Sequence, residues 1–250
     1  MNSSSLELLQ RGAEELGLDV TAQFPAFERL FELLQEGNSR MNLTALKTEE
    51  DIVLKHFVDS LTCLRGGYLE GGLSVVDLGT GAGFPTFPLA LARPELVFIP
   101  VDSTRKKIDF VRETAAQLGL QERVMPVVGR AEALGHLSEH RERYDRVVVR
   151  AVASLPVLAE LALPLLREGG LLVAQKGDIS ADELNAGRRA AGEVGGKVQV
   201  VDPFGLPILG DARTLVIIEK LKPTSPKYPR REGVPTAQPL FWESQPKQSR

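Results

Sequence analysis

Residues 75 to 85 read Val75-Val76-Asp77-Leu78-Gly79-Thr80-Gly81-Ala82-Gly83-Phe84-Pro85. An apolar β-branched start, an acid and three glycines at alternate positions predict a strand, a tight turn and a helix start, with Pro85 suited to the first helical turn. Gly79, Gly81 and Gly83 let a ligand touch backbone that side chains would cover. A dinucleotide turn of the G-x-G-x-x-G type would need its third glycine at position 84, which is Phe84. Asp102 lies 23 residues after Gly79, at the end of the next expected strand, where a carboxylate accepts both hydroxyls of a ribose. The same carboxylate would equally cap the helix that follows, a role open also to Ser103 or Thr104. Ala131-Glu132 follows the third expected strand, a place from which an adenine ring is contacted, and alone it is indistinguishable from a solvated helix start.

These residues need a parallel sheet to bring them to one edge, and the pattern supplies one. Short β-branched runs at 74–78, 97–101, 124–128, 144–149, 170–174, 198–201 and 214–219 alternate with helical stretches at 86–92, 104–118, 131–137, 155–166 and 180–194. Before them, residues 6–34 repeat apolar side chains at helical spacing. A further helix should start after Thr48, with Glu49, Glu50 and Asp51 in its first turn, and run to about Leu64. The expected division is a helical region 1–70, a ligand-binding α/β domain 71–221, and a basic, Pro-rich, extended tail 222–250.

Composition bounds the partners. The 250 residues are 43% hydrophobic and 25% charged, as in an ordinary soluble protein. The net charge of −3 excludes a polybasic protein that holds polyanions by bulk charge. Charge is uneven: residues 1 to 70 carry 6 basic and 12 acidic side chains, residues 219 to 250 carry 7 and 3. One cysteine, Cys63, excludes an internal disulfide, and with His56, His136 and His140 it forms no zinc-ligand spacing, so no metal is expected. Neither a membrane span nor a signal peptide is read, and a cytoplasmic monomer is expected.

The order D-x-G-x-G-x-G resembles motif I of the Rossmann-like class I S-adenosylmethionine-dependent methyltransferases. The resemblance implies a mostly parallel seven-stranded sheet with helices on both faces and an N-terminal helical extension. Such a turn meets no pyrophosphate, so close backbone approach matters more than the helix dipole. Two acceptor chemistries lack their residues. Attack through a pyrimidine ring carbon needs a cysteine nucleophile, and Cys63 falls in the helical region, where it reads as a buried helix residue. Methylation of an exocyclic amine usually employs an [Asp/Asn/Ser]-Pro-Pro-aromatic turn after the fourth strand, where this chain has Val149-Arg150-Ala151-Val152-Ala153. A ring nitrogen such as guanine N7 brings its own lone pair and needs alignment, not a general base.

Asn42-Leu43-Thr44, His56, Asp59-Ser60-Leu61, the glycine turn, Asp102-Ser103-Thr104-Arg105-Lys106-Lys107, Arg150-Ala151, Lys176-Gly177 and Tyr228-Pro229-Arg230-Arg231-Gly233-Pro235 together resemble the RsmG (glucose-inhibited division protein B) family. The resemblance covers about residues 27 to 240. It implies methyl transfer from S-adenosyl-L-methionine to a guanine N7 in the 530 loop of 16S ribosomal RNA, with the small ribosomal subunit or its assembly intermediate as partner. Cofactor contacts are implied at Asp77, Gly79, Gly81, Gly83, Phe84, Asp102, Ser103, Thr104, Ala131, Glu132 and Arg150. Arg150 would hold the cofactor carboxylate or an RNA phosphate, or stack on guanine, and otherwise is a surface arginine at a strand end. His56, Asn42 and Lys176 join it as active-site candidates, although Asn42 would equally end a turn and a lone helical histidine is commonly structural. RNA contacts are expected from Arg105, Lys106, Lys107, Lys176, Lys227, Tyr228, Arg230 and Arg231, the first three being equally a solvated helix face. Two positions depart from the family: Thr86-Phe87 stands where Gly-Leu or Gly-Ile is usual, and Thr214 where histidine is common. A nicotinamide-dependent oxidoreductase and a non-catalytic RNA-binding assembly factor are the rival readings.

Overall fold

The computed structural model describes residues 1–150 and 153–242, so Ala151 and Val152 of the segment after the fourth strand lie outside the described residues. Two amphipathic helices open the chain, α1 (Ser3–Glu14) and α2 (Phe24–Met41). Asn42 ends α2 with a φ of 50°, the left-handed conformation in which the chain leaves a helix. Thr48 caps α3 (Glu49–Ile52) as expected, its hydroxyl accepting the Asp51 N–H at 3.1 Å. The helix does not continue uniformly to Leu64. It widens to a π-helix at Val53–Val58, returns to α geometry in α4 (Asp59–Leu61) and tightens to 3₁₀ at Thr62–Gly67. Single π turns are frequent at functional sites.

Strands and helices then alternate: β1 (Ser74–Leu78), α5 (Thr86–Ala92), β2 (Val97–Asp102), α6 (Arg105–Gln117), β3 (Val127–Val128), α7 (Ala131–Leu134), β4 (Tyr144–Arg150), α8 (Leu155–Ala162), β5 (Leu166–Lys176), α9 (Ala181–Glu193), β6 (Gly196–Gly205) and β7 (Ala212–Lys220). They build one seven-stranded sheet in the order β3-β2-β1-β4-β5-β7-β6, parallel except for β7. This is the expected Rossmann-like sheet, and helix 86–92 has the expected bounds. Some bounds moved for identifiable reasons. Pro126 has no N–H to donate, so the strand expected at 124–128 pairs only over Val127–Val128, with Val124 in a single bridge to Phe98. Pro164 ends the helix expected to reach 166, and Leu166 already belongs to β5. β5 and β6 outrun expectation because β7 pairs with both along most of its length.

Strand alternation sorts the core onto two faces. Val75, Val148, Val173 and Ile217 join the face covered by α1, α2, the π-containing helix and α5, where Leu9, Phe27, Leu30, Phe57 and Phe87 are fully buried. Val76, Val147, Val149, Leu172 and Val216 join the opposite face, under α8 and α9. Residues 1–70 therefore share a core with the sheet. Among the described residues no helix is long and apolar enough to cross a membrane.

The Pro-rich segment after β7 is not a free extended tail. Tyr228 and Thr224 are buried, and a short helix α10 (Val234–Ala237) packs near α8. Its root is Lys220, whose ammonium is completely buried and donates to Glu142 Oε1 at 3.1 Å, Leu163 O at 2.7 Å and Thr224 Oγ1 at 2.5 Å. Burial pushes this lysine below its ordinary pKa, so its charge needs the Glu142 carboxylate. Glu142→Ala leaves that ammonium without an anion and is expected to cost about 2 to 3 kcal/mol in urea unfolding. Removing the exposed partner in the Arg29–Glu32 pair should cost less than about 1 kcal/mol in the same assay.

Candidate active site

The glycine turn lies at the carboxyl end of β1 and is closed by two bonds to β2: the N–H groups of Gly79 and Thr80 both donate to Val101 O, at 2.8 and 3.0 Å. Gly79, Gly81 and Gly83 have φ of 77°, 59° and 91°, which side chains disfavour. At Gly83 space is also lacking, since a Cβ would sit 2.2 Å from the Phe87 ring. The turn is tied sideways by Asp102, whose Oδ2 accepts the Gly81 N–H at 3.2 Å while Oδ1 accepts the Thr104 N–H at 2.8 Å. Asp102 therefore does brace the start of α6, and it faces a cavity as well.

That cavity, about 400 Å³, is lined by Gly79, Asp102, Ser103, Thr104, Ala131 and Glu132 among others. Volume and lining suit a nucleoside: an acid at a strand end beside a glycine turn, with apolar Leu78, Val149 and Leu158 for a ring face. A second cavity of about 310 Å³ opens across the turn, lined by Leu43, His56, Asp59, Thr80, Phe84 and Arg150. Gly79 borders both. Phe84 and Arg150, expected at the cofactor, thus line the second cavity, because the turn carries Phe84 past Gly83 and onto the His56 side.

The second cavity is built on one buried acid. Asp59 Oδ2 accepts Arg150 Nη1 at 3.0 Å, and Oδ1 accepts Arg213 Nε at 2.8 Å and Gln175 Nε2 at 2.8 Å. Arg150 also donates to Lys55 O at 2.9 Å and to His56 Nδ1 at 3.2 Å. A guanidinium only donates, so His56 Nδ1 is the unprotonated nitrogen, and Nε2 carries the proton toward Thr44 Oγ1, 2.8 Å away. The imidazole stacks on Phe84, with ring centres 4.6 Å apart and planes within 9°. Burial, then the Arg150 charge, lower the His56 pKa to about 3, so the ring is neutral at physiological pH.

Three comparisons bear on this arrangement. A model of the family described as rRNA small subunit methyltransferase G (GidB) matches residues 23–207. The chain belongs to the rRNA small subunit methyltransferase G family. Proteins of that name from Deinococcus deserti and Deinococcus radiodurans are each 70% identical, over 98% and 95% of this chain and 100% and 94% of their own lengths. Among solved structures, M. jannaschii TYW2 in complex with AdoMet aligns with a TM-score of 0.51 at 15% identity, over 65% of this chain and 76% of its own, a likeness of fold alone.

In this member of the GidB family several expected site residues are engaged elsewhere. Lys176 pairs with Glu183 at 3.0 Å and donates to Ala153 O, so it lines neither cavity. Asn42 is exposed at the end of α2 and likewise lines neither. The expected base-stacking role of Tyr228 conflicts with its burial and with its hydroxyl donating to Glu193 at 2.9 Å. Arg230 is spent on Glu160, at 2.7 Å, whereas Lys227 pairs with Glu193 at 2.9 Å and stays exposed. An arginine holding a fully buried carboxylate is not available to a phosphate. Glu132 lines the first cavity while accepting the Gly233 N–H at 3.1 Å, and Lys107 lies 3.8 Å from Asp102. Arg105, Lys106 and Arg231 remain exposed. Sequence reasoning missed Thr44, Asp59, Gln175 and Arg213 as members of the site. Asp59 and Arg213 are 154 positions apart, and no local pattern joins them.

Asp77 lies beneath the turn and lines neither cavity. Its Oδ2 accepts the Thr86 hydroxyl at 2.7 Å and the Thr86 N–H at 3.3 Å, so Thr86, where the family usually has glycine, adds a hydroxyl donor to a buried acid. Asp77 Oδ1 and Thr80 Oγ1 have no partner among the described residues. Burial, only partly offset by these donors, pushes the Asp77 pKa up to about 6. The folded state then binds a proton that the unfolded chain, with a pKa near 3.8, has released. Asp77 consequently destabilises the fold increasingly as pH rises from about 4 to 6, and by a constant amount above that. Comparing urea unfolding of the parent and Asp77→Asn, the variant's stability relative to the parent should rise over this window by about 1 to 3 kcal/mol. A pH-independent difference would place the carboxylate in its charged form throughout.

Proposed function

We propose that this chain transfers a methyl group from S-adenosylmethionine to the N7 nitrogen of a guanine in the 530 loop of 16S ribosomal RNA. Family membership supports the ribosomal RNA substrate and the cofactor. The observation that carries the choice of a ring nitrogen is that the titratable acceptors lining the second cavity, His56 and Asp59, are already bonded. His56 Nδ1 takes an Arg150 N–H, and both Asp59 oxygens take arginine or glutamine donors. A hydroxyl or amine acceptor would have to lose a proton to a base, whereas guanine N7 attacks with a lone pair it already has.

When bound, S-adenosylmethionine supplies a methyl group on a cationic sulfur. The chain's own residues hold and align. Asp102 receives the ribose, Ala131 and the apolar wall of the first cavity cover the adenine, and Gly79, bordering both cavities, leaves a backbone small enough for the two reactants to meet. On the other side, the Phe84–His56 stack offers an aromatic edge to the base, and Arg150 offers N–H groups to acceptors beside N7, such as the guanine O6. Asp59 and Arg213 position Arg150. Exposed Arg105, Lys106, Lys227 and Arg231 are the phosphate-binding candidates that the fold leaves available.

The direct test is transfer of labelled methyl from S-adenosylmethionine to 16S ribosomal RNA and to small subunits, with the product nucleoside mapped. The expected product is 7-methylguanosine in the 530 loop, and methylation of an amine or ribose hydroxyl overturns the proposal. Asp102→Ala should weaken cofactor binding by about 1 to 3 kcal/mol in calorimetry, the value of a carboxylate accepting hydroxyl hydrogen bonds. Unchanged affinity would leave Asp102 with its structural bonds to Gly81 and Thr104 only.

The transfer rate at saturating substrates should stay flat between about pH 6 and 9, because His56, with its pKa near 3, has already lost its proton and N7 needs no deprotonation. His56→Ala should lower the rate through misplacement of Phe84 and Arg150 without changing that profile. A rate rising tenfold per pH unit, and lost with His56, would mean that a proton is removed.

A further inference from the structure

The first cavity has a wall from outside the α/β domain: Thr236, in the one-turn α10, lines it together with Asp102, Ala131 and Leu161. The segment carrying Thr236 is fastened at several points around that cavity. Glu160 is the one acid in the otherwise apolar helix α8 and is completely buried. Its Oε1 accepts the backbone N–H of Arg230 at 2.8 Å and Arg230 Nε at 2.9 Å, and its Oε2 accepts Arg230 Nη2 at 2.7 Å. The same Nη2 donates to Gln238 O at 2.8 Å, so one guanidinium spans from α8 to the far end of α10. At the near end, Glu132, itself a lining residue, accepts the N–H of Gly233, the residue that starts α10 with a φ of 78°. Arg130 and Glu232 add an exposed ion pair at 2.6 Å.

A carboxylate with no solvent contact is costly to bury and must be matched by its partners. Here the match ties the segment that carries α10 to helix α8 beside the cavity. We infer that segment 230–238 is a wall of the cofactor site, with Thr236 a cofactor-contacting residue and the Glu160–Arg230 pair the positioning contact that holds it in place. This rests on the reading that the first cavity takes S-adenosylmethionine. It replaces the RNA role expected of Arg230 with one in cofactor affinity.

The test uses the full chain and S-adenosylhomocysteine as the probe, with affinity by calorimetry and amide hydrogen exchange as readouts. The paired variant Glu160→Leu with Arg230→Met removes both charges at once, so no buried ion is stranded. It should raise the dissociation constant at least tenfold, and Thr236→Ala should raise it three- to tenfold. The amides of Gly233, Val234 and Thr236 to Gln238 in the parent should exchange more slowly with the probe bound. Parental affinity in both variants, or equal exchange with and without the probe, overturns the inference. If the paired variant does not fold, Thr236→Ala and the exchange measurement on the parent decide in the same way. A parent that binds no S-adenosylhomocysteine refutes the cofactor reading itself, a distinct result.

Discussion

The site depends on how one buried carboxylate is satisfied. Asp59 has almost no solvent contact, and an acid so placed is stable only if donors come to it. They come from three strands: Arg150 at the end of β4, Gln175 near the end of β5 and Arg213 near the start of β7. Asp59 itself belongs to the N-terminal helical region, just past the π-helical turn that presents His56 and the Lys55 carbonyl to the same arginine. The interaction therefore joins the helical region to the sheet at the edge where the ligand cavities open. Any shift of that region moves Arg150, and with it the Phe84–His56 stack.

The glycine turn meets a different constraint, since in the proposed function it places two ligands on opposite sides of one stretch of backbone. Side chains at Gly79 or Gly81 would need the left-handed conformation, and one at Gly83 would collide with Phe87. Thr86 and Phe87, the positions at which this chain departs from the usual family pattern, both act on the turn from below. Thr86 gives its hydroxyl to Asp77, and Phe87 fills the space beside Gly83.

Much of this could be read before the fold was seen, where the physics is local. Strand, turn and helix around Gly79 followed from glycine and β-branched residues, Thr48 capped the helix it was expected to cap, and Asp102 lines the cavity of about 400 Å³. What escaped was long-range. The Asp59 cluster joins residues more than a hundred positions apart, and the π turn has no propensity signature in Val53 to Val58. The tail misled because prolines and arginines suggest an extended basic arm. A signal was nevertheless present: a single glutamate, Glu160, in the apolar run Leu-Pro-Val-Leu-Ala-Glu-Leu-Ala, which demands a cationic partner from elsewhere in the chain.

In the proposed function, Gly79 separates a cofactor cavity from a substrate cavity. A crystal structure of the full chain with S-adenosylhomocysteine measures it directly. The adenosine half should occupy the cavity of about 400 Å³, with its ribose hydroxyls on Asp102 and its sulfur at Gly79, toward the side of His56, Phe84 and Arg150. An adenosine bound on the His56 and Phe84 side of the turn, with Asp102 left without a ribose contact, would contradict it.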